Sequence, residues 1–274
     1  MILQCKDLNA SYKNRKDFSP VLSSVSVKIE QGKLVCLTGA NGSGKSSLLN
    51  ILSGLAGKKT DSLQITSAEQ LPQIVEESGD QKIIEIQKMN RLETAKKIGF
   101  MSQSEYSAWN TSVLDTILTG RFAHSGTAYT RKDYELAEEA ASLLNISDLL
   151  SRSTFSLSGG EYQKVRIART IAQNPAFILL DEPCAGLDFS YEPELLKKLK
   201  KLAETKNTGI MLSIHDLNTA ARFADEIILL SKNAPSIQGS VESVFTEKNL
   251  SEAYKSDFKI FKHPVLNCPQ VFAQ

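Results

Sequence analysis

Apolar and polar positions alternate along SVSVKI (24–29), which predicts a strand, and the run LVCLT within GKLVCLTG (32–39) predicts a buried one. NGSGKSSLLNILSGL (41–55) reads as a glycine turn opening a helix, with Leu48, Leu49, Leu52 and Leu55 at helical spacing. Residues 56–98 are less regular. QKIIEIQ (81–87) has strand character, whereas ITSAEQLPQIVEESGD is polar and interrupted by Pro72 and Gly79. KIGFMSQ (97–103) returns to a strand ending at a Gln. From 104 to 164 the pattern turns helical: Val113, Leu114, Ile117 and Leu118 recur at helical offsets. Thr130 and Asp133 form a capping box ahead of Tyr134, Ala137, Ala141 and Leu144. Helices and strands then alternate: EYQKVRIARTIAQN, AFILL, EPELLKKLKKLAE, GIMLSI, LNTAARFA and EIILLS. That order predicts an α/β fold with a mostly parallel sheet, helices on its faces, and a small helical subdomain set into it.

Composition narrows the function classes. The 274 residues suffice for one large domain or a domain with a subdomain. With 32 basic and 31 acidic side chains the net charge is +1, which argues against a general electrostatic grip on nucleic acid. Seven basic and seven acidic residues balance within 58–98, so that segment is solvated rather than a charge patch. The cysteines Cys5, Cys36, Cys184 and Cys268 form no C-x-x-C pair and suit neither a zinc site nor a disulfide framework. They read as incidental thiols of a reducing compartment. The start, MILQCKDLNASY, lacks the pattern of a signal peptide, and no run approaches 18 apolar residues. A membrane role would therefore come through a partner.

The chemistry begins at GANGSGKS: Gly39, Ala40, Asn41, Gly42, Ser43, Gly44, Lys45 and Ser46, followed by Ser47. The stretch matches G-x-x-x-x-G-K-[ST] between a strand and a helix, where backbone N–H groups can face phosphate oxygens. Lys45 can reach the β- and γ-phosphates, and Ser46 can offer a hydroxyl to Mg²⁺. In AFILLDEP (176–183) an apolar strand ends in Asp181, placed to reach Mg²⁺, and Glu182, placed to orient and deprotonate a water. LSGGEYQK (157–164) places Ser158, Gly159 and Gly160 at another helix start, a second apparent phosphate site in one domain.

These motifs, in this order over about residues 1–272, resemble the ATP-binding cassette (ABC) ATPases. The resemblance implies a P-loop NTPase with a RecA-like, mostly parallel core sheet, an N-terminal antiparallel β part and an inserted α-helical subdomain. It implies a single domain over 1–274, with 1–103 and 165–274 forming the nucleotide-binding core and 104–164 the helical subdomain carrying the signature. Tyr12 falls where the family places an aromatic that stacks on adenine. Gln103 resembles the Q-loop residue that senses γ-phosphate and Mg²⁺ and touches the membrane partner. LSGGE (157–161) matches the family signature, Asp188 of AGLD the D-loop, and His215 of SIHD the switch histidine. The implied cofactors are ATP and Mg²⁺, the latter held by Ser46, Gln103 and Asp181. The implied partners are a second copy of the chain, an integral membrane permease and, indirectly, a substrate-binding protein. The implied location is peripheral, on the cytoplasmic face of the inner membrane.

VLDTILTGRFAHSG (113–126) and the tail from 241 to 271 resemble the branch that imports iron–siderophore, haem and cobalamin. On that resemblance the expected cargo is a metal chelate and no additional regulatory domain follows. Importers of zinc, manganese or other small solutes remain an alternative, as does a soluble ABC ATPase acting on nucleic acid. Two departures stand out: Cys184 where the branch often has Thr, and a longer 56–98 segment. Cys184 reads as a packing residue and 56–98 as a surface insertion. His124 and His263 read as ordinary surface or packing residues.

Overall fold

The computed structural model describes residues 1–13, 17–58, 61–76, 82–105, 110–126, 128–188 and 190–274. The chain opens with β1 (Ile2–Lys13), β2 (Phe18–Glu30) and β3 (Leu34–Gly39), leading into α1 (Lys45–Leu52). There follow β4 (Leu63–Ser67), β5 (Gln70–Glu76), β6 (Lys82–Glu85), α2 (Arg91–Lys97) and β7 (Ile98–Met101). Next come α3 (Val113–Leu118), α4 (Phe122–Ser125), α5 (Arg131–Leu143) and α6 (Gly159–Ala172). The chain then alternates through β8 (Phe177–Leu180), α7 (Tyr191–Lys206), β9 (Gly209–Ser213), α8 (Leu217–Phe223) and β10 (Glu226–Leu230). The last elements are β11 (Ile237–Gly239), α9 (Val241–Val244), α10 (Glu247–Tyr254), β12 (Phe258–Lys262) and β13 (Pro269–Ala273).

Six strands form the core sheet in the order β11-β10-β3-β9-β8-β7, parallel except where β11 pairs with β10. Alternation along each strand divides the interior in two. Leu34, Cys36, Ile178, Leu180, Ile210, Leu212, Ile227 and Leu229 join the core formed with the later helices. Val35, Leu37, Phe177, Leu179, Met211, Ile228 and Leu230 face the opposite way, toward α1 and an antiparallel sheet. That sheet runs β2-β1-β5-β6, with β4 also pairing β1. Burial on both faces explains why these strands are apolar runs rather than alternating ones. The order brings the C-terminal ends of β3, β9, β8 and β7 together, where a parallel α/β sheet holds its ligands.

Strands β1, β4 and β5 are not anticipated by the pattern of the sequence, and most of 61–76 is sheet rather than loop. Their register comes from long-range pairing: Leu3 opposes Ile29 on one side and Ile74 on the other. Gly79 and Gln81 lie outside the described residues. The strand expected over 81–87 stops at Glu85 and gives way to a short 3₁₀ turn over Ile86–Lys88. Helix α1 ends at Leu52, and Leu55, expected on its buried face, is exposed because the chain turns at Gly54. Tyr134 is also exposed, while Ala137, Ala141 and Leu144 are buried and the Thr130–Asp133 capping box is present. The boundary expected at 164 falls inside α6.

The Gly-Arg pair of 113–126 is a packing device. A Cβ on Gly120 would lie 2.2 Å from the Arg169 carbonyl oxygen, so only glycine lets the chain pass α6 this closely. Arg121 is buried. Its Nε donates to Asp133 at 2.8 Å, and its Nη1 donates to the Ala172 and Gln173 carbonyls at 3.2 and 2.8 Å. The guanidinium thus ties α5 to the carboxyl end of α6, where a positive charge is favoured. His124 is exposed, as expected of a surface residue, and its pKa is lowered, first by partial desolvation and then by the Arg121 charge. His263 Nδ1 accepts from the Val265 and Leu266 N–H groups within a turn. No helix among the described residues is long and apolar enough to cross a membrane.

Candidate nucleotide site

The turn after β3 is built to receive an anion. Gly44 caps α1 at φ 99° with no side-chain hydrogen bond, and no acid stands in the first turn, so side chains leave the helix N–H groups uncapped. A Cβ on Gly44 would lie 2.6 Å from Leu22 Cδ2 and 2.9 Å from the Val21 carbonyl oxygen. Ser43 Oγ is buried with no partner, an orphan that a phosphate oxygen would satisfy. Lys45 is buried, and its Nζ donates to the Gly39 and Ala40 carbonyls at 2.7 and 3.2 Å, which draws it across the mouth of the loop. Burial lowers its pKa, opposed by the charges of Glu182 and Asp181, which places both acids near the ammonium. Ala40, Asn41 and Gly42 form the outer rim, and Ser46 is half-buried on the first turn of α1. The Tyr12 hydroxyl lies 3.0 Å from Ser47 Oγ, so β1 carries its exposed ring to the start of the same helix.

The acids enter from β8. Asp181 is 2% exposed, and its Oδ1 accepts from Ser213 Oγ at 2.7 Å. The same Ser213 Oγ accepts the Glu182 N–H at 2.8 Å. Glu182 adopts φ 49°, left-handed backbone that is costly for a side chain with a Cβ and is held here by that bond. His215, two residues beyond Ser213, meets Glu182 Oε1 through Nε2 at 2.7 Å. The Asp181 N–H donates to the Met101 carbonyl at 2.9 Å, so Gln103 leaves β7 beside Asp181 leaving β8. Gln103 is exposed.

Ser158 caps α6 in a capping box with Glu161, whose carboxylate accepts from the Ser158 N–H and hydroxyl. Ser158, Gly159 and Gly160 line a groove with Gly186, Leu187 and Asp188, and Ser158 and Gly159 line another with Gln103 and Glu105; neither includes the phosphate loop. Signature and D-loop meet closely, since a Cβ on Gly160 would lie 3.1 Å from the Gly186 carbonyl oxygen. The structure thus gathers Tyr12, Gly39–Ser47, Asp181, Glu182 and His215 at one end of the sheet. It holds Ser158–Gly160 with Asp188 in a groove that no phosphate-loop residue lines.

Sequence reasoning missed three residues. Ser213 stood within the quoted SIHD segment, one position before the Ile. Tyr254 accepts the Gly39 N–H on its hydroxyl at 3.0 Å from 215 residues away, and no local pattern announces it. Gln163 Nε2 donates to the Glu182 and Pro183 carbonyls at 3.2 and 3.1 Å. Its signal was present in the signature stretch itself. Cys184 is half-buried and packs against the larger core; burial and then Glu192 push its thiol pKa up.

Mg²⁺ fits the donor set. Ser46, Asp181 and Gln103 offer only oxygen donors of the hard kind that Mg²⁺ prefers, at neighbouring strand ends. Among the described residues no group of three or more His, Cys, Asp or Glu could hold a metal by itself; Mg²⁺ here would be held by these few donors with phosphate oxygens and water.

A sequence model of the ABC transporter family matches residues 22–185, more than half of the chain. This chain belongs to the ABC transporter family. It is an ATP-hydrolysing ABC ATPase. It is 32% identical to the petrobactin import ATP-binding protein YclP of Bacillus subtilis (strain 168), over 85% of this chain and 86% of that one. It is 32% identical to the hemin import ATP-binding protein HmuV of Hydrogenovibrio crunogenus, over 89% and 91%. It is also 32% identical to the manganese transport system ATP-binding protein MntB of Bacillus subtilis (strain 168), over 90% and 91%. Among solved structures, the ABC ATPase resembles a metal-chelate type ABC transporter in an inward-facing conformation, with TM-score 0.76, 26% identity, and 99% and 97% of the two chains covered. It resembles a dimeric ATP-binding cassette bound to ADP and Pi in a post-hydrolysis state, with TM-score 0.72, 26% identity, and 88% and 99% covered.

Proposed function

We propose that this ABC ATPase is the energising subunit of an importer, in which two copies close over two ATP molecules and hydrolysis reopens them to drive uptake of a metal chelate. The observation that carries the reading is Glu182. It stands at a strained strand end, backbone fixed by Ser213 and carboxylate on His215, beside the Lys45 loop. In this reading Glu182 orients and deprotonates the attacking water, and His215 holds the carboxylate and braces the γ-phosphate. Gly39–Ser47 and Lys45 bind the phosphates, and Tyr12 stacks on adenine. Ser46, Asp181 and Gln103 hold Mg²⁺, which supplies charge stabilisation to the transferring phosphoryl group.

The separation of Ser158–Gly160 from the phosphate loop supports a shared site. The signature of one copy covers the γ-phosphate held by the other, with Asp188 at the same face. The dimeric relative bound to ADP and Pi supports that arrangement. ATP then favours the closed dimer because it binds that state better.

A groove lined by Leu92, Phe100, Phe122 and Arg169, with Leu92 and Phe122 exposed, supports a permease docking beside the Q-loop. On this reading the ABC ATPase sits peripherally on the cytoplasmic face of the inner membrane, and a substrate-binding protein acts on the permease's other side. The likeness to a metal-chelate transporter and to petrobactin and hemin import subunits supports a ferric siderophore or haem cargo. Manganese is the second reading, favoured by the equally similar manganese subunit. The decisive experiment on the chemistry is Glu182→Gln: it retains ATP binding, accumulates an ATP-dependent dimer and loses turnover. A Glu182→Gln variant with normal ATPase rates removes Glu182 as the base. Growth of a deletion strain on iron chelates against growth on limiting manganese separates the cargoes.

A further inference from the structure

Three polar residues, Gln163, Arg166 and Arg169, recur at intervals of three along α6 and so share one face of the helix. Each is engaged with a different part of the machinery. At one end, Gln163 Nε2 donates to the carbonyls of Glu182 and Pro183. In the middle, Arg166 Nη1 donates to Gln163 Oε1 at 2.7 Å and to the Gln103 carbonyl at 3.4 Å, while its Nη2 donates to the Ser102 carbonyl. At the other end, Arg169 grips Glu105, two residues after Gln103, in a bidentate pair at 2.6 and 2.5 Å. Gln163 and Arg166 are 6% and 4% exposed, so this column is interior structure and not a solvated charge pattern.

One atom in the column makes no hydrogen bond. Arg166 Nε is buried without a hydrogen bond, and Glu105 Oε2 lies 3.8 Å from it. The Glu105 carboxylate therefore has two available arrangements: bidentate on Arg169, as observed, or shared with the vacant Arg166 donor after a shift of about 1 Å, which would bring that separation to ordinary hydrogen-bond length. A discrete second arrangement is what a coupling element requires, beyond mere proximity. Arg169 lines the apolar groove between α2, α4 and α6, and Glu105 belongs to the segment after β7.

We propose that Gln163 and Arg166 are positioning residues for hydrolysis: the column Arg169–Glu105–Arg166–Gln163 sets the strained backbone of Glu182 and carries displacement of the Gln103–Glu105 segment to it. The inference rests on the reading of Glu182 as the base. Neither residue touches the reacting atoms. Gln163 acts through the carbonyls of Glu182 and Pro183, and a small rotation of the Glu182–Pro183 peptide redirects the carboxylate.

The test uses the full chain and steady-state ATPase at saturating Mg-ATP, with fluorescent-nucleotide binding and thermal melting in parallel. Gln163→Met keeps the volume and removes the hydrogen bonds to both carbonyls and from Arg166. It should lower kcat by about tenfold or more, the scale of one to two lost hydrogen bonds, with nucleotide affinity within about twofold of wild type. In the Glu182→Gln background, which has no turnover to lose, the same change should leave nucleotide affinity and the ATP-dependent dimer unchanged, because Gln163 acts through the base and not through binding. Glu105→Gln should lower kcat at unchanged affinity and should not add to Gln163→Met. Should Gln163→Met fail to fold, Arg166→Lys serves: it keeps the charge, loses the fork that joins Gln163 to the Ser102 and Gln103 carbonyls, and should show the same loss in kcat. A folded Gln163→Met or Arg166→Lys with wild-type kcat overturns the proposal, as does a loss expressed only in KM or melting temperature. Full additivity of Glu105→Gln with Gln163→Met removes Glu105 from the column and overturns it as stated. A Glu182→Gln variant that still turns over strikes the reading of the base itself. An inactive Glu182→Gln beside a fully active Gln163→Met strikes the column alone.

Discussion

Replacing Ser213 by alanine removes one oxygen that serves two groups. Ser213 is 1% exposed, accepts the Glu182 N–H at 2.8 Å and donates to Asp181 Oδ1 at 2.7 Å. The first loss leaves an amide without its acceptor at a backbone position of φ 49° that nothing else in the local sequence favours. An unsatisfied buried donor costs about 1–3 kcal/mol, and a hydrogen bond to a charged carboxylate contributes about 1.5–3 kcal/mol. Part of this is recovered, since alanine creates no large cavity and water can reach Glu182, whose side chain is 19% exposed. A net destabilisation of about 2–4 kcal/mol follows, which for a chain of this size is a fall in melting temperature of roughly 3–7 °C. Differential scanning fluorimetry without nucleotide measures it directly. Turnover should fall as well, because the carboxylate that meets His215 hangs from the released peptide. A Ser213→Ala protein melting within about 2 °C of wild type, with unchanged kcat, would refute the claim that this hydroxyl holds the two acids in place.

Other expectations come from the helical part and the cysteines. Burial alone would raise the Asp133 pKa, but hydrogen bonds from Thr130 and Arg121 outweigh it and hold the carboxyl well below its usual range. With the folded value depressed, its stabilisation is present above the unfolded pKa near 3.9 and is lost as pH falls through the folded value. Urea midpoints of wild type should therefore decline on acidification below about pH 4 more steeply than those of Asp133→Asn. At neutral pH, Asp133→Asn should cost roughly 2–4 kcal/mol, since Arg121 keeps only its two carbonyl partners. Gly120→Ala drives a Cβ into the Arg169 carbonyl and should destabilise by roughly 2 kcal/mol or more in the same assay. Cys184, with its thiol pKa pushed up by burial and by Glu192, should react with a disulfide reagent at pH 8 much more slowly in the native state than in denaturant. Rapid native labelling at Cys184 contradicts its role as a packing residue.

The parts legible in the sequence are those whose physics is local. Gly44, Lys45 and Ser46 declare themselves because the turn, the charge and the hydroxyl must be consecutive. The Thr130–Asp133 box is legible because a helix start is satisfied within four residues. Strands β4 and β5 were hidden because their stability comes from β1, about 60 residues away, and their own composition is polar. Tyr254 and Ser213 were hidden for the same reason: each bonds across more than 30 residues to a backbone group. The Gly-Arg pair was legible as a motif but carried a different message. Its residues pack α6 against α3 and α5, so the pair reports how the helical part is built, and its bearing on cargo is indirect.

That packing makes α6 the element through which the parts of the site are joined. Its first residue follows Ser158, which in the proposed dimer faces the partner's γ-phosphate. Its interior holds the carbonyls of Glu182 and Pro183 through Gln163, and its far end meets Gly120, Arg121 and Glu105. A rigid helix of 14 residues is about 21 Å long, so a displacement imposed near Arg169 reaches Ser158 nearly undiminished. The signature would then move relative to the phosphate loop, which shares one sheet with the base through β3, β9 and β8, and the Gln163 bonds would pass part of that motion to Glu182. LSGGEYQK is in that case more than half of a site. Its Ser and glycines serve the neighbouring copy, and its Gln serves the chain's own glutamate. In the proposed dimer, docking at the groove would therefore bear on two ATP sites at once, the one the helix caps and the one whose base it holds.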